Sequence, residues 1–325
     1  MGGKKPIYFS VSAYTQLSSS GQYFAKTDPN YNFLRINGIG VTLGRRLGWP
    51  DNRFQLNYSL NLDHYNLDNY PGYLFSNGTS YNIKLTQELS RNSLDGSPIF
   101  PTGGSNIKFT LQGTPPYSLF NGLNYKLPPT QQELYHFVEY FKVKFDAQWF
   151  IHLAGKFTVM SQVRFGFLGR YNSAAPASPF ERFKLGGDGM QSYQFLQGSD
   201  IIGLRGYENF SIVPVGSNYN ATNNPGSAIY NKFTLELRHP VIASGTATVF
   251  LLAFAEGGNV WDKFSQFNPY NVRRSTGIGA RIFLPIFGML GLDYGYGYDP
   301  IPGIPSANKG QFHFSIAQSL SGGFQ

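Results

Sequence analysis

Hydrophobic and polar residues alternate strictly along much of this chain. In 53–63, Phe54, Leu56, Tyr58, Leu60 and Leu62 alternate with Gln55, Asn57, Ser59, Asn61 and Asp63. In 141–151, Phe141, Val143, Phe145, Ala147, Trp149 and Ile151 alternate with Lys142, Lys144, Asp146, Gln148 and Phe150. The stretches 7–17 and 272–284 read the same way, the latter setting Val272, Ile278, Ala280, Ile282 and Leu284 against Arg273, Ser275, Gly277, Gly279 and Arg281. A period of two gives each segment one apolar and one polar face, the mark of a β-strand. The pattern predicts about 12 strands, at 7–17, 34–47, 53–65, 80–91, 105–113, 140–153, 157–171, 228–239, 246–257, 272–284, 289–298 and 311–320.

Most of these segments run to roughly ten residues, what a tilted strand needs to cross a bilayer, whereas strands of soluble sandwiches average about five or six. The connections point the same way. Long loops at 18–33, 66–79, 114–139, 172–227, 258–271 and 299–310 alternate with short turns near 48–52, 101–104, 154–156, 240–245 and 285–288. Short turns on one rim and long loops on the other are the layout of an outer-membrane barrel. The expected fold is therefore all-β, a transmembrane antiparallel β-barrel, with 1–325 as one barrel domain and its longest loop at 172–227. Closure would also remove sheet edges that lipid cannot satisfy.

Composition fits. Charged residues make up 14% and aromatics 17%, with 38 glycines, a mix suited to strands and turns. There is no cysteine, which rules out disulfides and cysteine ligands or nucleophiles. No stretch approaches the roughly 18 consecutive apolar residues of a transmembrane helix. The formal net charge of +8 is scattered and never forms a dense block, so it reads as lumen and loop charge and no nucleic-acid partner is expected. Met1–Pro6 carries lysines without an apolar core and does not read as a signal peptide, so the chain is expected to be mature or a fragment.

Leu204-Arg205-Gly206-Tyr207, inside the longest loop, is the most informative motif. It resembles the Val-Arg-Gly-aromatic signature in the sixth extracellular loop of the BamA family of outer-membrane assembly factors. Further segments resemble that family in order: Phe100-Pro101-Thr102-Gly103-Gly104, similar to its Phe-Pro-Thr-x-Gly turn; Phe183-Lys184-Leu185-Gly186-Gly187, leading into loop six; Ala255-Glu256-Gly257-Gly258-Asn259-Val260-Trp261, similar to its acid-containing strand end; and Ser275–Ala280 with Phe312–Ala317, similar to its last strands. The resemblance covers nearly the whole chain. It implies a sixteen-stranded barrel behind periplasmic POTRA domains, of which this chain would hold the C-terminal portion, without the first four strands.

The resemblance further implies that loop six folds into the lumen and that Arg205 binds two wall acids, at Glu236 and Glu256. Glu236 shares its strand face with Lys232, Thr234 and Arg238 and should point inward. Glu256 shares parity with the apolar Phe250, Leu252 and Phe254, which leaves its direction open; the family more often has Asp there. Phe312, Phe314 and Leu320 match the C-terminal strand signal, although Ser321–Gln325 follow where the family closes on an aromatic residue. The implied activity is non-enzymatic: insertion of outer-membrane proteins without cofactor or metal, in a bacterial outer membrane. The implied partners are unfolded outer-membrane clients, the lipid bilayer and accessory lipoproteins of a BAM-type complex. A polypeptide-secretion channel or passive pore of the same superfamily shares the motif and stays open. A barrel enzyme would need a Ser-His or Asp-His pair on one rim, and none is convincing.

Other signals read as structural. Asp63 and His64 are adjacent on a strand and so face opposite ways. The five histidines lack metal-ligand spacing, and His313 is expected to face the lumen. Gly38-x-Gly40 and Gly277-x-Gly279 precede no helix and are expected to relieve crowding inside the barrel. Trp49, Trp149 and Trp261 fall near strand ends, as an aromatic girdle would place them.

Overall fold

The computed structural model describes residues 7–19, 31–70, 75–125, 129–190, 198–217, 224–243, 247–285 and 288–317. All twelve predicted strands are present. They are β1 (Ile7–Ser18), β2 (Phe33–Arg46), β3 (Phe54–Asp68), β4 (Gly78–Asn92), β6 (Pro101–Gly113), β7 (Phe141–His152), β8 (Thr158–Gly169), β11 (Ile229–Ala243), β12 (Thr248–Trp261), β13 (Arg273–Leu284), β14 (Gly288–Gly297) and β15 (Lys309–Ala317). Three short strands have no counterpart in the sequence reading: β5 (Asp95–Gly96), β9 (Phe183–Leu185) and β10 (Asp200–Ile202). At two or three residues each, they are too short to show a period.

Strand order follows chain order, β1-β2-β3-β4-β6-β7-β8-β11-β12-β13-β14-β15, with β5 on β6, while β9 and β10 form a separate parallel pair. Among the described residues the sheet is not closed: β1 pairs only with β2, and β15 only with β14. The chain groups into two compact units, one of Met1–Ser90, Phe109–Val143 and Leu168–Ser178, the other of Arg91–Lys108, Lys144–Phe167 and Pro179–Gln325.

The first unit shows the alternation plainly. Ile39, Val41, Leu43, Leu60, Leu62 and Leu85 lie exposed, while Asp63, Ser80, Asn82 and Lys142 are buried. That inverts the arrangement of a water-soluble protein and is what a bilayer demands: apolar groups outward, polar groups inward. Asp63 accepts a hydrogen bond from the Tyr14 hydroxyl at 2.7 Å, while His64 stacks on Tyr81. The two neighbours do act on opposite faces.

In the second unit the same inversion frames the site. On β11, Lys232, Thr234 and Glu236 are buried and Leu235 and Leu237 exposed. On β12 the buried face is Phe250, Leu252, Phe254 and Glu256, with Leu251 exposed. Greasy parity there does not mean lipid, because Phe100 covers that face. Its ring meets Phe250 edge-on at 5.1 Å and shares a cluster with Leu252, Phe254 and Met289. This corrects the reading of 100–103 as a turn. Pro101, Thr102 and Gly103 belong to β6, with Pro101 and Gly103 opposite β5, and Phe100 caps an interior apolar cluster. Trp261 also departs from expectation. It is buried and packs edge-on against Phe267 at 5.0 Å, whereas Trp49 and Trp149 are exposed.

Candidate functional site: a charge cluster gripping loop six

The described parts of the loop from 170 to 228 bury apolar side chains that the polar sequence reading did not single out. β9 and β10 pair in parallel and are crossed by bridges Leu185↔Ile212, Gly187↔Leu204 and Phe183↔Ser227. Phe183, Leu185, Ile202, Leu204 and Ile212 are almost completely buried, so the loop carries a small core. That core presents Leu204–Tyr207 as one ordered segment.

Arg205 lies among three carboxylates. Its Nε and Nη2 donate to Glu256 Oε1 at 3.1 and 2.7 Å, and its backbone N–H donates to Glu256 Oε2 at 2.9 Å. Nη2 also donates to Glu236 Oε1 at 2.6 Å, and Nη1 to Asp293 Oδ1 at 3.2 Å. The guanidinium stacks over the Phe254 ring, 3.7 Å from its centre. The planar fork reaches several acceptors at once, which a lysine ammonium cannot do in this geometry. Burial alone would lower the pKa of Arg205, but Glu256, Glu236 and Asp293 outweigh it and hold the group above its usual value.

Each acid has a second cation. Lys232 Nζ lies 2.9 Å from Glu256, Arg238 Nη2 2.6 Å from Glu236 and Arg281 Nη2 2.9 Å from Asp293. Four cations thus share three carboxylates. The structure brings together all three residues singled out in sequence, Arg205, Glu236 and Glu256, and adds Asp293 and Arg281, which sequence reasoning missed. Both sit on the polar parity of their strands, Asp293 opposite Gly279 in the ladder. That glycine spacing was the available signal: a Cβ at Gly279 would fall 2.0 Å from Asp293 Oδ1, and one at Gly277 2.4 Å from the Phe254 ring.

Gly206 and Tyr207 lock the backbone. Gly206 has a positive φ of 89° and lies so close to β13 and β14 that a Cβ would fall 2.9 Å from Gly297 N and 3.0 Å from Ser275 Cβ. Its N–H donates to His313 Nε2 on β15 at 2.8 Å. Tyr207 is fully buried; its hydroxyl donates to the Arg274 carbonyl at 2.8 Å and accepts from Asp299 N–H at 3.2 Å. Burial pushes the Tyr207 phenol up to about 12. Other ties fix the loop elsewhere: Lys144 to Asp200 at 3.1 Å, and Arg182 to Asp262 and the Gly226 carbonyl. Phe312 and Phe314 are exposed on the outer face of β15, and Leu320 lies outside the described residues. Among the described residues no cluster of side chains suits a metal.

The comparisons with known proteins agree with this architecture. The Omp85 superfamily domain matches residues 4–320. Among solved structures, BamA from Haemophilus ducreyi lacking POTRA domains 1–3 is similar at 18% identity and a TM-score of 0.60, covering 95% of this chain and 61% of that one. CdiB from Escherichia coli is similar at 12% identity and a TM-score of 0.53, covering 95% of this chain and 49% of that one. The chain therefore spans about half to three-fifths of the length of these structures, and at such identities the likeness concerns the fold. No curated protein matches the sequence. With the domain matched over nearly its full length, the chain belongs to the Omp85 superfamily.

Proposed function

We propose that this chain is the barrel portion of an outer-membrane insertase, the central subunit of a BAM-type assembly machinery that folds outer-membrane clients into the bilayer without cofactor or covalent chemistry. The observation that carries this reading is the seating of loop six: Arg205 is buried among Glu236, Glu256 and Asp293 and fixes the loop against the inner wall. The inverted faces of the strands support a bilayer setting, and the likeness in fold to BamA supports the class of activity. In this reading sheet edges at a seam offer unpaired N–H and C=O groups to an incoming strand, in a medium that offers none. The bacterial outer membrane, client proteins, accessory lipoproteins and upstream POTRA domains belong to the same proposal.

A second reading, a polypeptide-secretion or translocation channel, is favoured by the likeness in fold to CdiB, and it shares the loop-six arginine. The two separate on one experiment. Full-length protein, unaltered or with Arg205→Ala, is reconstituted in liposomes and folding of a denatured outer-membrane client is followed. Acceleration that depends on Arg205 supports the insertase. No acceleration, together with robust ion conductance, moves the assignment to the channel.

A further inference from the structure

We infer that His313 is a positioning residue that ties the loop-six motif to strand β15, and that it does so only as a neutral imidazole. The functional consequence rests on the insertase reading; the tie itself rests on geometry. On β15 the side chains split by parity: Phe312, Phe314 and Ile316 are exposed, while His313 is buried. Its Nε2 accepts the Gly206 N–H at 2.8 Å. Among the described residues this is the one side-chain hydrogen bond from β15 to Leu204–Tyr207. β15 has β14 as its single ladder partner there, so the bond joins an edge strand directly to the motif.

An accepting ring nitrogen carries no proton, so the ring proton sits on Nδ1. Protonating the ring places an N–H against the Gly206 N–H and abolishes the bond. The charged groups facing His313 are Asp293 on β14, its cross-strand partner, Asp188 and Arg205 in loop six, and Glu256 on β12. None is idle. Asp293 is held by Arg205 and Arg281, Glu256 by Arg205 and Lys232, and Asp188 accepts the Met190 N–H. An imidazolium would add a fifth cation to a cluster that already has four for three carboxylates. Nor can Gly206 slide to keep contact, because it is wedged against Gly295 and Gly297, where an added Cβ would come within 2.6 Å of its N and 2.5 Å of its O. The direct bond between the motif and β15 therefore exists when His313 is neutral and is lost when it is charged.

The test is amide exchange at Gly206 in the full-length protein in liposomes, at about pH 5 and about pH 8, either side of the ordinary imidazole range, with each rate corrected for intrinsic exchange. The unaltered protein should exchange about tenfold faster at the lower pH, the scale of one net hydrogen bond. H313Q, whose amide oxygen can accept in the same place, should stay protected at both values; H313L should be unprotected at both. Client folding should change between the two values in the unaltered protein and not in H313Q. Equal protection of the unaltered protein at both values overturns release by charge, and H313L as protected as the unaltered protein overturns the tie. A pH switch in exchange without one in folding overturns the coupling to the seam. If no variant accelerates client folding at any pH, the insertase reading falls, and the exchange data alone then decide the tie.

Discussion

Replacing Glu256 should damage this protein more than replacing Arg205. Glu256 receives three hydrogen bonds from Arg205, one of them from its backbone, and holds Lys232 at 2.9 Å. Arg205→Ala removes one of four cations. Glu236 keeps Arg238, Glu256 keeps Lys232 and Asp293 keeps Arg281, so every carboxylate retains a partner. Breaking a buried pair costs roughly 3–5 kcal/mol when a charge is stranded. Here no charge is stranded, and the cost should fall to about 2–3 kcal/mol, mostly lost hydrogen bonds and the Phe254 contact. Glu256→Gln takes the opposite course: it leaves four cations on two carboxylates, strips Lys232 of the acid it holds, and should reach about 4–5 kcal/mol. The assay is reversible urea unfolding in lipid vesicles, followed by tryptophan fluorescence and by heat-dependent mobility on gels. A smaller loss for Glu256→Gln than for Arg205→Ala would refute the cluster as the organising feature. Arg205→Lys should fall short of full rescue, because an ammonium cannot span Glu236, Glu256 and Asp293 together.

Three further outcomes follow from the same geometry. Gly206→Ala should cost about 1–3 kcal/mol, since its backbone is left-handed and its Cβ would press on β14 backbone; limited proteolysis should then cut loop six faster. Tyr207→Phe should cost about 1 kcal/mol in the same unfolding assay, for the lost bond to the Arg274 carbonyl, and in the unaltered protein the Tyr207 phenolate absorbance should develop only as pH approaches about 12. Burial lowers the Lys184 ammonium from 10.5 to about 8, so the folded state disfavours its charge. Below pH 8 both folded and unfolded chains carry the proton and the penalty is complete. Between pH 8 and 10.5 the folded chain sheds it first, so stability should rise with pH across that window, a rise absent in Lys184→Met.

The strands were legible because a bilayer enforces a period of two over about ten residues, and every predicted segment from 7–17 to 311–320 has a strand in the structure. Glu236 was legible for the same reason. Glu256 was not settled by parity, because its face is covered by other protein: Phe100 and loop six meet β12, so apolar residues there point inward. The core of loop six was hidden for a different reason. β9 and β10 are three residues each and pair across a gap in sequence, so nothing periodic marks them. Asp293 looked like one polar residue among alternating aromatics, and only the missing Cβ of Gly279 shows that space was kept for it.

The glycines and the charges therefore make one device. Gly277 clears room for the Phe254 ring beneath Arg205, Gly279 for the Asp293 carboxylate, and Gly295 and Gly297 for the backbone of the motif. A side chain at Gly295 or Gly297 would press on the Gly206 backbone and lift loop six off the wall by more than a hydrogen bond tolerates, and the cluster would lose Arg205 even with every charged residue intact. Gly295→Ala should thus reproduce the weakened grip of Arg205→Ala while leaving the charge count unchanged. If it instead left unfolding in vesicles unaltered, the cluster would be drawing the loop in by attraction over distance, and close backbone contact would not be what holds it.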